Sequence, residues 1–146
     1  MPGIITARAD SASDASDASG ESREYTNYVY VQPKYLEQIR SGIKTFEGRP
    51  ARERYMRWRA GDVIRFLPTV SRGRRRRKVS PCEMRITSTQ HFKGFRDMLK
   101  TVGVRSCLPN LKDGDIDKGV CTYHSFGNFK KEVESVGARA FELGPV

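Results

Sequence analysis

Apolar residues recur along this chain in two different periods, and the change of period places its elements. From Pro33 to Arg40 the residues Tyr35, Leu36 and Ile39 fall at helical spacing. Pro33 suits the first helical position, where its missing N–H leaves nothing unpaired, and Gly42 supplies a left-handed stop. Residues 45 to 49 read as extended, with Thr45, Glu47 and Arg49 on one face and Phe46 on the other. Ala60-Gly61-Asp62 is a tight turn feeding a strand through Leu67, in which Ile64 and Phe66 alternate with Arg65. A second strand-like run spans Cys82 to Ser88. Phe92, Phe95, Leu99 and Val102 return to helical spacing and Gly103 ends that run, leaving Lys93, Arg96 and Lys100 outside. Asp113 to Lys118 reads as a charged loop. Val120, Tyr123 and Phe126 then predict a brief helix that carries the Tyr123 hydroxyl toward a cleft. Val136, Ala138 and Ala140 alternate with Arg139, Phe141 and Leu143, a last strand expected to close a barrel.

Residues 1 to 24 obey neither period. Ser11 to Gly20 is a Ser/Ala/Asp repeat, predicting a disordered acidic tail ahead of one domain over 25–146. In the tail two arginines face five acids, a net −3, so the remainder must carry +13 to leave the overall +10. A chain of 146 residues that is 37% hydrophobic buries one modest core. No apolar run is long enough to span a bilayer and Met1 to Asp10 lacks a secretory apolar stretch, so the expectation is an intracellular protein, cytoplasmic or nuclear, without membrane contact. Cys82, Cys107 and Cys121 lack C-x-x-C spacing, and His91 and His124 are too few for a histidine site. No metal or cofactor is expected.

The chemistry concentrates in three segments. Lys44, Glu47 and Arg49 lie within six residues. Such charges are costly to bury apart, so they either pair at a helix-to-strand corner or hold a polar ligand together with Thr45 and Tyr123. Arg52, Arg54, Arg57 and Arg59 follow, interleaved with Tyr55 and Trp58. Guanidinium groups beside aromatic rings suit single-stranded RNA, although Trp58 also reads as a cap on the core. The loop 71–79 then gathers Arg72, Arg74, Arg75, Arg76, Arg77 and Lys78. Phosphate contact explains that density, and so do a nuclear-import signal and a solvated loop.

Several segments together carry a family resemblance: QPKYLEQIRSGIKTFEGR (32 to 49), WRAGDVIRF (58 to 66), HFKGFRDMLKTVG (91 to 103), Leu108-Pro109, GVCTYHSF (119 to 126) and VGARAFEL (136 to 143). They resemble the ASCH domain of the PUA-like superfamily over roughly residues 27 to 144. The specific parts are G-x-K-x-x-E-x-R, from Gly42 to Arg49, and G-D-x-I-x-F, from Gly61 to Phe66. The resemblance implies an α+β fold, a small, partly open PUA-like β-barrel with flanking short helices, whose cleft is lined by the Lys, Glu and Arg of the first motif. It also implies RNA association, and in one bacterial branch hydrolysis of acetylated cytidine.

Two functions stay open at this stage. One is a module binding single-stranded or structured RNA, with a nucleotide in the cleft and the arginine loop on the backbone. The other is an enzyme, an amidohydrolase of a modified cytidine-like nucleoside or a ribonuclease, with Lys44 and Glu47 catalytic. The amidohydrolases that the resemblance brings in carry a threonine where this chain has Glu47, and a later glutamate with no obvious counterpart here. For a ribonuclease, His124 with Lys44 is the available acid–base pair.

Overall fold

A computed structural model describes residues 27–70 and 79–146. The tail and the six cations at 72–78 lie outside the described residues. The chain runs through β1 (Tyr28–Val31), α1 (Pro33–Ser41), β2 (Phe46–Pro50), α2 (Glu53–Met56), β3 (Val63–Pro68) and β4 (Cys82–Phe92). It continues with α3 (Phe95–Val102), α4 (Val104–Cys107), α5 (Ile116–His124), α6 (Phe129–Val136) and β5 (Ala138–Gly144).

Helix α1 forms as its sequence dictates. Pro33 opens it, Leu36 and Ile39 are buried, and Gly42 closes it at φ 85. The amides of Ile43 and Lys44 then donate to the Gln38 carbonyl, each at 3.0 Å, turning the chain into β2.

The five strands lie in the order β1-β3-β4-β5-β2 and curl into a half-barrel with helices on its flank. β1 runs parallel to β3, and the other neighbours are antiparallel. β5 therefore sits inside the sheet, between β4 and β2, rather than closing it. Its two faces are both buried, which explains its composition. Ala138 and Ala140 pack in a cluster with Phe95, Met98, Leu99 and Tyr123, where small side chains let the helices approach. Phe141 and Leu143 face a second cluster built on Leu36, Ile39, Trp58, Ile64, Phe66 and Ile86.

The edges β1 and β2 face each other across an open seam. Backbone parity sends the Asn27 and Val31 carbonyls to β3, where they accept from Arg65 and Thr69. The Tyr28 and Tyr30 carbonyls are thereby turned to the seam, and arginines meet them: Arg49 Nη2 reaches Tyr30 O at 3.1 Å, and Arg54 Nη2 donates to Tyr28 O.

Several boundaries differ from the sequence reading. His91 and Phe92 end the long strand β4, and the helix starts only at Phe95, after an extended Gly94 at φ −164. Asp117 and Lys118 lie within α5. Helices α4 and α6 were not anticipated, and Val136 ends α6 instead of entering the last strand. Trp58 is 2% exposed, its ring 5.0 Å from both the Tyr55 and the Phe141 ring. The core-cap alternative therefore holds for this tryptophan, and its ring is unavailable to a base.

Candidate functional site

The site begins with strand parity. Glu47 and Arg49 stand two apart on β2 and project to one face, while Gly48 between them carries no side chain on the other. A Cβ at Gly48 would come within 2.6 Å of Met98 Cε and 3.0 Å of the Tyr123 hydroxyl, so β2 lies directly on α3 and α5.

Lys44 reaches the same point from the turn after α1. Its ammonium donates to the carbonyls of Phe46 at 2.6 Å and Cys107 at 2.7 Å, and stands 3.4 Å from Glu47 Oε1. The other carboxylate oxygen, Oε2, accepts from Arg49 Nε at 2.7 Å. Lys44 and Glu47 are 3% and 5% exposed. Burial alone would push the Glu47 carboxyl up; the charges of Arg49 and Lys44 and their hydrogen bonds outweigh it and hold the group below its ordinary value. Burial likewise works against the Arg49 charge, and Glu47 restores it, so the guanidinium is held more firmly protonated than usual.

These groups open onto a cavity of about 290 Å³. Tyr35 from α1, Tyr123 near the end of α5, Phe126 just past it and Phe129 at the start of α6 give it aromatic walls, and Tyr30 and Thr69 also line it. The Arg49 guanidinium lies 5.7 Å from the Tyr55 ring and 5.5 Å from that of Phe129. Tyr123 stacks on Phe95 with centroids 4.4 Å apart. Its buried hydroxyl has no hydrogen-bond partner of ordinary geometry among the described residues. Burial, followed by the neighbouring Cys107 and Glu47, raises the Tyr123 phenol well above its usual range. Burial and Glu47 also raise Tyr35.

Of the residues singled out in the sequence, Lys44, Glu47, Arg49 and Tyr123 line this cavity. Thr45 does not: its amide donates to Ser106 O at 2.9 Å and its carbonyl accepts from Leu143 N at 2.8 Å, work that fixes β2 in place. Arg52 pairs with Glu132 at 3.5 Å and Arg57 with Glu53 at 3.1 Å, outside the cavity. Arg54 serves the seam. His124 stands against Phe95, ring centroids 6.1 Å apart, and is not a wall of the cavity with Lys44. The sequence reading missed Tyr30, Gln32, Ser125 and Phe129 as wall residues. Only Tyr30 had a local signal, the strand alternation of exposed tyrosine with buried valine in Tyr28-Val29-Tyr30-Val31. Among the described residues no cluster of His, Cys, Asp and Glu is arranged to hold a metal ion. No described helix is long and apolar enough to cross a membrane.

The ASCH domain model matches residues 29–144. Two solved structures share the fold. The crystal structure of the hypothetical protein PH0355 superposes with a TM-score of 0.66 at 26% identity, covering 82% of this chain and 97% of that one. The solution NMR structure of protein PF0455 from Pyrococcus furiosus gives a TM-score of 0.62 at 27% identity, with 82% and 96% covered. No curated protein matches.

Proposed function

Because this chain belongs to the ASCH domain family, we propose that it is a nucleic-acid-binding module that takes one nucleotide of single-stranded RNA into the Glu47/Arg49 cavity. The observation that carries this reading is the pairing, inside one aromatic-walled cavity of about 290 Å³, of a fixed carboxylate with a guanidinium that still has N–H groups to offer. Such a volume lies near the lower end of the ~300–1,000 Å³ range of small-molecule sites, which suits a single base. Rings from Tyr35, Phe126 and Phe129 offer stacking. Ionised Glu47 only accepts hydrogen bonds, so it faces an exocyclic amine or ring N–H. Arg49 uses Nε on Glu47 and Nη2 on Tyr30 O, leaving further donors for a carbonyl or phosphate. The arginine loop leaves β3 just past Thr69, a wall residue, and contacts the backbone of the same strand.

We place binding ahead of amide hydrolysis or RNA cleavage because the three N–H groups of Lys44 already face three acceptors. A general base must offer a lone pair to a substrate, and this ammonium is committed to holding the fold.

The test is fluorescence anisotropy with labelled single-stranded oligoribonucleotides. Ser125 is an exposed wall residue, and Ser125→Trp introduces bulk at the cavity. That variant is expected to melt like the parent and to lose at least about tenfold in affinity, the scale of one stacked base. Full affinity with a filled cavity would move the RNA off this site.

A further inference from the structure

We propose that Tyr28, Tyr30 and Arg54 form a second stacking site, taking the base adjacent to the one in the cavity, so that the protein grips a dinucleotide step of RNA. This rests on the cavity reading above.

Strand β1 is an edge strand with two unlike faces. Val29 and Val31 are buried at 2% and 6%, whereas Tyr28 and Tyr30 are 37% and 55% exposed. The two tyrosine rings meet edge to face with centroids 6.1 Å apart, a preformed pair on the surface. Tyr30 also lines the cavity while Tyr28 does not, so the pair extends the aromatic surface outward from the cavity by one two-residue repeat of the strand.

The charge beside this pair is open. The Arg54 guanidinium lies 5.1 Å from the Tyr28 ring centroid and meets no carboxylate among the described residues, unlike Arg52 and Arg57. An exposed ring pair flanked by an uncompensated cation complements a base followed by its phosphate. A partner chain adding as an extra strand fits less well. The β1 carbonyls it would need, those of Tyr28 and Tyr30, already accept from Arg54 and Arg49.

The experiment compares a ribonucleoside monophosphate with the corresponding dinucleotide by NMR titration, using the full chain, Tyr28→Leu and Tyr28→Phe. Leu keeps apolar bulk on the strand without a ring, and Phe keeps the ring. In the parent the dinucleotide is expected to bind roughly tenfold tighter than the monophosphate, the gain from one more stacked base. Tyr28→Leu should lose that gain while monophosphate affinity stays within about twofold; Tyr28→Phe should retain it. Tyr30 lines the cavity and should shift with either ligand, whereas an amide shift at Tyr28 should appear only with the dinucleotide's second base. A monophosphate that binds in the cavity with no added affinity from the second base overturns this proposal alone. Absence of binding by either ligand overturns the cavity reading with it. An unchanged dinucleotide gain in Tyr28→Leu overturns the platform and leaves the exposed rings to a protein partner.

Discussion

The Arg49 guanidinium bridges the two edge strands of the half-barrel, donating from Nη2 to the Tyr30 carbonyl at 3.1 Å while its Nε holds Glu47 at 2.7 Å. One side chain thus closes the seam and orients the carboxylate of the cavity. A lysine carries the same charge but presents a point ammonium, which cannot make both bonds in this fork geometry. Arg49→Lys is expected to lose about 1.5–3 kcal/mol, the usual worth of a hydrogen bond to a charged group. Urea unfolding measures the loss. Hydrogen exchange should locate it, with β1 amides exchanging faster and the β4–β5 ladder unaffected.

Among the described residues Glu47 is the only anion paired with the buried Lys44 and the largely covered Arg49, so its removal is expected to be severe. Glu47→Gln leaves Lys44 and Arg49 without a compensating charge and turns an amide N–H₂ toward one of them. Breaking a buried pair in this way costs about 3–5 kcal/mol. Chemical denaturation checks this figure, and a loss under 1 kcal/mol would mean that water reaches the pair freely. The burial of Lys44 and Glu47 also rules out reading a ligand effect from these two positions without a stability control.

The part of this site written in the sequence is the part built by neighbours along the chain. Pro33 and Gly42 bracket α1, and the two-residue spacing of Glu47 and Arg49 puts both on one face of a strand; each is a local rule. The walls come from β1, α1, α5 and α6, which meet only after folding, so Tyr30 and Phe129 had no local mark of belonging together. α6 escaped because Phe129-Lys-Lys-Glu-Val-Glu-Ser-Val buries only Val133, too thin a stripe to show a period. Phe92 misled for the opposite reason: three residues before Phe95, it fits a helix, yet it ends β4 and Gly94 is extended. The interior position of β5 is a matter of pairing partners, which alternation alone does not encode.

Acid should weaken the fold through Glu47 in a defined direction. Its folded-state pKa lies below the ordinary value of 4.5 because Arg49 and Lys44 outweigh burial. The stability it contributes is therefore complete above that value and is lost as pH falls through the lowered one. Other carboxylates also titrate there, so the informative quantity is the stability gap between the parent and Glu47→Gln. That gap is expected to be constant near neutrality and to shrink below pH 4.5. A gap that widens on acidification would reverse the sign of the shift.

Gly137 joins α6 to β5 at φ 80, and a Cβ there would sit 2.5 Å from the Phe92 carbonyl oxygen. Backbone cannot step aside as a flexible side chain can. Gly61 also has a positive φ, 98, but nothing lies within 4 Å of its would-be Cβ. Gly61→Ala should therefore cost only the backbone strain, about 1–2 kcal/mol. Gly137→Ala should cost more, by moving the β4–β5 pairing at Phe92 and Ala138. Thermal melts of the two variants rank them, and equal losses would show that the contact relaxes without penalty.

RNA affinity should depend on salt through the arginine loop. Six cations fall between Arg72 and Lys78, and the chain outside the acidic first 24 residues carries +13. For single strands each neutralised phosphate contributes a slope of about −0.7 in log affinity against log salt. Engagement of all six therefore predicts a slope near −4, and replacing Arg74, Arg75, Arg76 and Arg77 with Ser should flatten it by about 3. Stacking in the cavity is far less sensitive to salt, so the quadruple variant should keep the residual affinity that Ser125→Trp removes. Anisotropy titrations from low to high salt on the parent and both variants separate the two contributions. A slope that the quadruple change leaves intact would take the loop off the RNA, and the charge recognition would then fall to Arg52, Arg54 and Arg57.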